Sequence, residues 1–489
     1  IPPVLRDLTV RSMIASIHDV TLAGYTVRNE PQVLASIRLT PNNPITEMLS
    51  ELLSDVVREA PAKQRIREGN YLAVNDGVAL GMGNNIFYLS TNADLLRSYL
   101  RRLNGYNLPV VSNNPGYVSS RNDTGDGFLS QYVNLTAIAQ WLGRDSSVPK
   151  KFTNTLRTLN ISHSVSSIVP DGMDSKSVLQ MNPNGGDAAL FKLLSYTPAQ
   201  LELLRDLPDT APSAAVIATD TAGWLDYIGT WLPELELDSE AQKDLLAAFT
   251  RLKDRLGNEW AVVGSNQIDA NSALNTAGLG MNLFGLGDLL TPDNQTTFYG
   301  KVKDGAQVLS DLETAIQTEL NKPPAPTPDG KATPVTEKTT LERTIIAGFS
   351  TLHVKMTRTL EDKTSEENIF VVNKNNTIVI GTNRDQLEGS LAANPLLELA
   401  AFKGINFPAR VSGISYTAPV RLGKAELEKT LNDLLKTFEL DKDVPANIVA
   451  ATSEWLESWS KRTQVSFGHM LTEGNKVKFY NKNGFSWNK

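Results

Sequence analysis

Two segments of the chain share a pattern of hydrophobic and polar positions. When the sequence is shifted by 291 residues, residues 84–100 and 375–391 are identical at seven of 17 positions. The matching pairs are Asn84/Asn375, Asn85/Asn376, Thr91/Thr382, Asn92/Asn383, Asp94/Asp385, Leu96/Leu387 and Leu100/Leu391. An internal repeat of this kind dictates the fold, because each copy builds the same structural unit.

The repeated segments predict a strand, a tight turn, a second strand and a helix. Short apolar runs flank Asn84-Asn85 and Asn375-Asn376, and asparagine tolerates the left-handed backbone of hairpin turns. Thr91 and Thr382 each stand three residues before an aspartate, which predicts a capping box at the start of the helix. The repeated polar residues are therefore explained by turn and cap, and a shared ligand site at Thr-Asn-x-Asp is the alternative.

The repeat extends upstream into a larger block, which we call type A. In each copy an apolar strand precedes a helix with apolar residues at helical spacing, at residues 45–57 and 308–320. Type A therefore reads β-α-β-β-α and covers about residues 31–104 and 296–392.

A second block, type B, reads strand, helix, linker, helix and strand. Its clearest copies repeat Glu-Leu-Asp at 236–238 and 439–441, an offset of 203 that also relates Val262 to Val465. Asp238 and Asp441 are predicted helix N-caps. A looser copy runs from residue 128 to 168, and we expect closing hairpins at 170–172 and 473–475.

The blocks follow in the order A, B, B, A, B. Residues 5–20 resemble the last helix and strand of a further B block, as seen at residues 252–263. We therefore expect the gene to encode a strand and a helix ahead of Ile1, preceded by an export signal. The fold class is α+β, with two tandem repeats of antiparallel sheets flanked by helices, at 1–196 (N-terminally incomplete) and 197–489, and an exposed Pro-rich loop at 322–334.

Composition narrows the function without naming it. The 489 residues include 47 Lys and Arg against 54 Asp and Glu, a formal net charge of −7, which argues against a nucleic-acid binder. Cysteine is absent, so disulfides, thiolate metal sites and cysteine nucleophiles are excluded.

Searches for catalytic and cofactor motifs find none of the phosphate-binding, dinucleotide-binding, serine-hydrolase or zinc-protease patterns. The sequence therefore predicts no catalytic residue and no cofactor. His163 and His469 are predicted to be ordinary residues of closing strands. The start of a calcium loop is present at Asn122, Thr124 and Asp126, but the twelfth position is Val133 instead of a bidentate glutamate, so this metal candidate is weak.

All seven tryptophans fall in B blocks, at positions 141, 224, 231, 260, 455, 459 and 487. Core or groove packing is the ordinary interpretation of such repetition. An aromatic-lined cleft for a lipid or carbohydrate-like ligand is the alternative.

The alternating blocks, with Asn-Asn-Ile-Phe-Tyr-Leu-Ser-Thr-Asn-Ala-Asp-Leu-Leu at 84–96 as a hallmark, resemble an uncharacterised family of exported or membrane-anchored bacterial proteins with duplicated α+β domains. The resemblance implies an extracytoplasmic location in the periplasm or cell envelope. It also implies an N-terminal anchor or processed end, with membrane association only through a segment upstream of Ile1. The family offers no catalytic residues to transfer.

These observations favour a non-enzymatic envelope scaffold or binding protein that acts on an envelope protein partner through its surface or an inter-domain groove. A periplasmic carrier of an apolar ligand is the first alternative. A hydrolase that uses carboxylates such as Asp238, Glu234 or Glu259 is the second.

Overall fold

The computed structural model describes residues 17–27, 30–41, 44–108, 111–197, 201–234, 239–264, 296–320, 336–360, 363–399, 402, 411–419, 423–437 and 445–484. Two compact units divide the chain. The first comprises Ile1–Val118 and Gln140–Asp145, and the second comprises Ser119–Ala139 and Ser146–Lys489.

The first unit contains a six-stranded antiparallel sheet in the order β1-β2-β6-β5-β4-β3. Its elements are β1 (Ile17–Val27), β2 (Glu30–Leu39), α1 (Pro44–Glu59), β3 (Arg65–Glu68), β4 (Tyr71–Asp76), β5 (Val78–Gly83), β6 (Ile86–Ser90) and α2 (Ala93–Leu103). Helix α2 covers one face of the sheet, where Leu96 and Leu100 join Tyr88 in a core. Helix α1 covers the other face through Leu53.

The second unit contains a 13-stranded sheet in the order β13-β14-β15-β16-β12-β11-β10-β17-β18-β19-β9-β8-β7. The strands are β7 (Leu129–Asn134), β8 (Ile161–Val169), β9 (Gly172–Gln180), β10 (Ser213–Ala218), β11 (Leu256–Gly264), β12 (Thr297–Val302), β13 (Thr336–Ile346), β14 (Phe349–Leu360), β15 (Lys363–Lys374), β16 (Thr377–Gly381), β17 (Val411–Thr417), β18 (Ser466–Glu473) and β19 (Lys476–Gly484). All of their pairings are antiparallel, and the sheets and helices together confirm the predicted α+β fold class.

Ten helices follow α2 in the described part of the chain. They are α3 (Pro115–Thr124), α4 (Leu135–Leu142), α5 (Lys150–Leu159), α6 (Ala188–Leu194), α7 (Thr221–Gly229), α8 (Ser239–Lys253), α9 (Gly305–Leu320), α10 (Arg384–Ala392), α11 (Lys424–Thr437) and α12 (Ala446–Ser460). The largest core of the second unit joins α10 and the turn at Leu203–Arg205 to strands β10, β11, β16 and β17.

The repeated strand–turn–strand–helix segments have the same local structure in both copies. Asn84 and Asn85 have φ angles of 50° and 59°, and Asn375 and Asn376 have 53° and 61°, so both pairs form the left-handed hairpin turn that was predicted. The predicted capping residue was wrong by one position. Asn92 and Asn383, not the preceding threonines, accept the backbone N–H of the third helical residue.

The type A block has two more strands than the sequence predicted. Both copies run strand, helix, four strands and helix, and corresponding strands occupy corresponding places in the two sheets. The missed strands are β3 and β4 in the first copy and β13 and β14 in the second. In β3 and β13 most exposed positions carry charged residues or, in β13, threonine, so no continuous apolar run marks these two strands. A strand such as β13 is favoured by the β-propensity of its threonines and not by a continuous hydrophobic run.

Type B blocks pair with one another through equivalent strands. In the spatial order β17-β18-β19-β9-β8-β7, the third and first B blocks meet through their last strands and run in opposite sequence order. The register pairs Gly172 with Gly484, Lys176 with Tyr480 and Gln180 with Lys476. This arrangement is the intramolecular counterpart of an isologous interface, in which the same surface is used twice.

The structure tests some of the remaining predictions, while others concern residues that it does not describe. Both closing hairpins are confirmed, between β8 and β9 and between β18 and β19. The repeat boundary near residue 196 stays a prediction about sequence copies, since the compact units divide the chain elsewhere. Asp238, Asp441 and the Pro-rich loop 322–334 lie outside the described residues. None of the helices described here has both the length and the apolar character needed to cross a bilayer.

Candidate partner-binding surface

Helix α12 exposes two large apolar side chains, although it also buries Val449. Ile448 and Trp455 are 50% and 64% exposed, whereas Ser453 and Ser460 are fully buried. Ala451 is also exposed, so Ile448, Ala451 and Trp455 follow the i, i+3, i+7 spacing of one helix face. We call these three residues the α12 face. An exposed isoleucine and an exposed tryptophan on one helix face are the informative feature, because large apolar residues that serve only the fold are usually buried.

Charged pairs border the α12 face. Lys424 on α11 reaches Glu454 at 3.8 Å, and Lys461 pairs with Glu457 at 3.1 Å. An apolar centre within a polar rim is the usual anatomy of a protein–protein contact. The pairs are balanced, so they do not supply the excess of lysine and arginine that an anionic bilayer attracts.

The three residues of the calcium candidate do not point to one place. Asn122 and Thr124 lie on α3, where Asn122 is exposed and Thr124 is buried. Asp126 receives two hydrogen bonds from the guanidinium of Arg121, at 2.7 and 2.9 Å. Residues two apart on a helix do not face the same side. In the described part of the chain no group of three His, Asp or Glu residues is arranged to hold a metal ion.

The buried His163 contacts two buried hydroxyl groups and the hydroxyl of an exposed serine, a cluster that the sequence did not predict. As expected, it belongs to a closing strand, β8, and His469 belongs to β18. Its Nδ1 lies 3.1 Å from Ser120 Oγ and 3.2 Å from Thr124 Oγ1, and its Nε2 lies 3.1 Å from Ser130 Oγ. Burial lowers the pKa of His163 and that of His469. The cluster resembles a serine–histidine pair in geometry only, because Ser120 and His163 are at most 1% exposed and offer a substrate no access.

A second polar cluster fastens α3 to β19. Asp123 accepts from Lys476 Nζ at 2.6 Å and from Lys478 Nζ at 3.0 Å, and Lys478 also reaches Glu473 at 2.8 Å. Partial burial would raise the pKa of Asp123, but the two lysine hydrogen bonds outweigh it and hold the pKa below its ordinary value. Hydrogen bonding to Glu473, with a further contribution from Asp123, raises the pKa of Lys478.

The carboxylates considered for a hydrolase do not form a described catalytic pair. Glu259 Oε2 accepts the backbone N–H of Leu203, the first residue of the turn Leu203–Arg205, at 2.6 Å. Asp238 and the side chain of Glu234 lie outside the described structure. Glu259 is therefore explained by its role in holding the turn at Leu203–Arg205.

The aromatic residues of the second B block are packed together instead of lining an open cleft. Trp224 and Trp231 stand edge-to-face with Tyr227, at centroid distances of 5.8 and 6.3 Å. Lys151 Nζ lies 4.5 Å from the Trp231 ring centre, and Tyr227 donates to Asp187 at 2.7 Å. These contacts join α5, α6 and α7 in a common core, as the ordinary interpretation of the tryptophans predicts.

One pocket on the first unit has a polar lining. Its volume is about 390 Å³, and it is lined by Thr46, Glu47, Ser50, Glu51, Ser54 and Asn85. Hydroxyl, amide and carboxylate groups do not suit the apolar ligand expected of a carrier.

Comparisons with protein-family models, with curated proteins and with solved structures found no match to the chain. Membership of the exported family suggested by the sequence therefore stays a prediction.

Proposed function

We propose that this chain is a non-enzymatic scaffold or binding protein of the bacterial cell envelope. The observation that carries the proposal is the α12 face, where the large apolar residues Ile448 and Trp455 are exposed. Tryptophan is enriched among residues that dominate protein–protein binding energy. The envelope location is supported only by the resemblance of the sequence to exported proteins.

The partner that fits this surface is a protein with an apolar groove. An outward helix face inserts into a groove through anchors at i, i+3 and i+7, as in other helix-in-groove contacts. Trp455 would fill the deepest part, and the Lys424–Glu454 and Lys461–Glu457 pairs would stay at the wet rim. A small apolar ligand suits this face less well, because such ligands bind in concave cavities.

Site-specific photo-crosslinking in the native host identifies the partner. A photoreactive amino acid at Ala451 should crosslink to one envelope protein, whereas the same group at Ile345, which is 68% exposed on β13, should not. Crosslinks to lipid alone would favour a carrier or membrane-bound role and would overturn the proposal, as would identical products from both positions.

The affinity of the identified partner then tests the α12 face directly. W455S should weaken binding of the purified partner by about 30-fold, since loss of a hot-spot tryptophan costs about 2 kcal/mol or more. The control I345S removes an equally exposed apolar residue and should leave the affinity unchanged. Because Trp455 is largely exposed, W455S should change the unfolding free energy by less than about 0.5 kcal/mol. Unchanged affinity in W455S would contradict the proposal.

A further inference from the structure

Two hydroxyl groups of helix α3 contact the ring of His163 and dock the helix on the second sheet. Ser120 and Thr124 lie one helical turn apart, and their side-chain oxygens are 3.1 and 3.2 Å from His163 Nδ1. These three residues are at most 4% exposed. Ser130 Oγ, on β7, lies 3.1 Å from Nε2. Both ring nitrogens therefore face hydroxyl groups, and the contact at Nδ1 also holds the helix.

The docked part of α3 begins where the second compact unit begins. The boundary between the units falls after Val118, inside the helix, and residues 119–124 belong to the second unit. Asp123, on the same part of α3, bonds two lysines of β19. The His163 cluster and this ion-pair cluster therefore fix the point at which the chain leaves the second unit.

The aspartates near His163 are paired with cations of their own. Asp123 is bonded by its two lysines, and just beyond the helix Asp126 accepts two hydrogen bonds from the guanidinium of Arg121. Arg121 lowers the pKa of His163 and Asp126 raises it, so the effects of this pair oppose each other. A proton added to the imidazole would therefore gain little from either carboxylate.

The strands on either side of β8 place aromatic, apolar and basic side chains around the ring. On β7, Tyr132 is paired with His163 and stands edge-to-face with it at a centroid distance of 6.0 Å. On β9, Val178 is paired with His163, and Lys478 of β19 is paired with Val178 in turn. Lys176 lies two residues from Val178, on the same face of β9. Apolar and cationic neighbours favour the neutral ring over the imidazolium.

We propose that His163 is an acid-sensitive contact, which holds α3 on the second sheet while its imidazole is neutral and releases the helix when the imidazole is protonated. An imidazolium in this closed site would lose its hydration, and hydroxyl oxygens compensate a buried charge less well than a carboxylate does. Release of α3 restores the hydration of the ring. The start of the second unit would thus be held at neutral pH and freed in acid.

The direction of the effect follows from proton binding. Burial lowers the pKa of His163 while α3 is docked. In the released state the ring reaches water and recovers an ordinary pKa of about 6.5. Below that pH the released state binds more protons than the docked state, so release becomes more favourable as the pH falls. The effect levels off once the docked ring is itself protonated.

Hydrogen exchange of peptides that cover α3, measured between about pH 8 and pH 5, tests the proposal. After correction for the pH dependence of chemical exchange, opening of α3 should be constant above about pH 6.5. At pH 5 it should be between about three- and 30-fold greater, since one proton contributes at most about tenfold per pH unit. Asp123 keeps its charge over this range, because its pKa lies below its ordinary value. Amides of α10, a helix of the same unit, should show no such rise.

Two histidine variants separate His163 from general acid effects. H163N carries a polar group that does not titrate, so opening of α3 should be the same at pH 7 and pH 5. The matched control is H469N. Burial also lowers the pKa of His469, but this ring stacks on Tyr480 at a centroid distance of 4.9 Å. H469N should therefore keep the wild-type pH response of α3.

The wild-type profile decides the question even if H163N does not fold. Opening of α3 that is constant down to pH 5, or that rises equally in α10, would overturn the proposal. A pH response that H163N retains, or that H469N abolishes, would also overturn it. The α12 face takes no part in this test, so its failure leaves the proposed function standing.

Discussion

At the scale of single residues, the repeated polar positions of this protein serve backbone geometry. Asn92 Oδ1 accepts Leu95 N–H at 2.9 Å, and Asn383 Oδ1 accepts Gln386 N–H at 3.0 Å. The preceding threonines do different things in the two copies. Thr91 Oγ1 accepts from Val33 N–H, whereas the buried Thr382 hydroxyl has no hydrogen-bond partner in the described structure. The asparagine N-cap therefore has the same role in both copies, whereas the role of the preceding threonine differs between them.

Removal of the cap should therefore cost more than removal of the neighbouring hydroxyl. N383A should lower the free energy of unfolding by about 1 kcal/mol, the usual loss for an asparagine N-cap. T382A removes a buried hydroxyl that makes no hydrogen bond, so its effect should stay within about 0.5 kcal/mol. Denaturant unfolding of the two variants measures both values. An equal or larger loss in T382A would restore the threonine as the capping residue.

The Asp123–lysine cluster predicts a pH-dependent stability. D123N leaves two lysines without their shared anion and should lower the free energy of unfolding by about 2 kcal/mol at pH 7. Folding lowers the pKa of Asp123, so its contribution is present above the unfolded pKa of about 3.9 and is lost as the pH falls through the folded value. The difference between wild type and D123N should therefore shrink in acid.

A matched control for D123N is the aspartate of the β8–β9 turn, whose lysine partner also lies on β19. Asp171 pairs with Lys482 at 2.6 Å, but both side chains are more than half exposed. An exposed pair contributes little, so D171N should leave the denaturant midpoint nearly unchanged at both pH values. A D123N effect that persists unchanged to pH 2 would show that charge pairing is not its cause.

At the scale of elements, the two copies of the type A helix are interchangeable in role. Leu96 and Leu387 are both fully buried and lie at the same position of α2 and α10. L96A and L387A should each cost about 3 kcal/mol, the middle of the range for a buried leucine. The controls R97A and E388A alter the next, exposed position of each helix and should cost less than about 0.5 kcal/mol. Hydrogen exchange within each sheet measures the loss, and a large cost in only one copy would contradict equivalence.

The sequence predicted those parts of the fold in which local chemistry decides the backbone. The Asn-Asn turns and the leucines of α2 and α10 belong to this class, because turn geometry and helical spacing are local. Strand β13 was missed because its threonines and charges give no apolar run. The α12 face was missed because sequence reasoning places tryptophan inward, whereas Trp455 is 64% exposed. Which strands pair across the sheet is a tertiary property that no local pattern encodes.

At the scale of the whole second unit, the sheet is joined by contacts between very distant parts of the chain. Lys176 pairs with Tyr480, and Asp123 on α3 holds Lys476 and Lys478 on β19. Such contacts close loops of roughly 300 to 350 residues, and they form slowly because the loop entropy is lost before the contact stabilises the chain. The hairpins β8–β9 and β18–β19 need only a two-residue turn each.

Refolding should therefore be ordered, with both hairpins protected before β9 meets β19. In pulse-labelled hydrogen exchange with residue resolution, amides of β9 that bond to β8 should become protected before the alternate amides that bond to β19. D123N removes the ion pairs between α3 and β19, which we expect to form only when β9 and β19 pair late in folding. The variant should therefore lose protection of the β9–β19 amides faster on unfolding, while early protection of the two hairpins stays unchanged. Simultaneous protection of both sets of amides would mean that the distant pairing belongs to the folding nucleus, and the two hairpins would then not be independent early units.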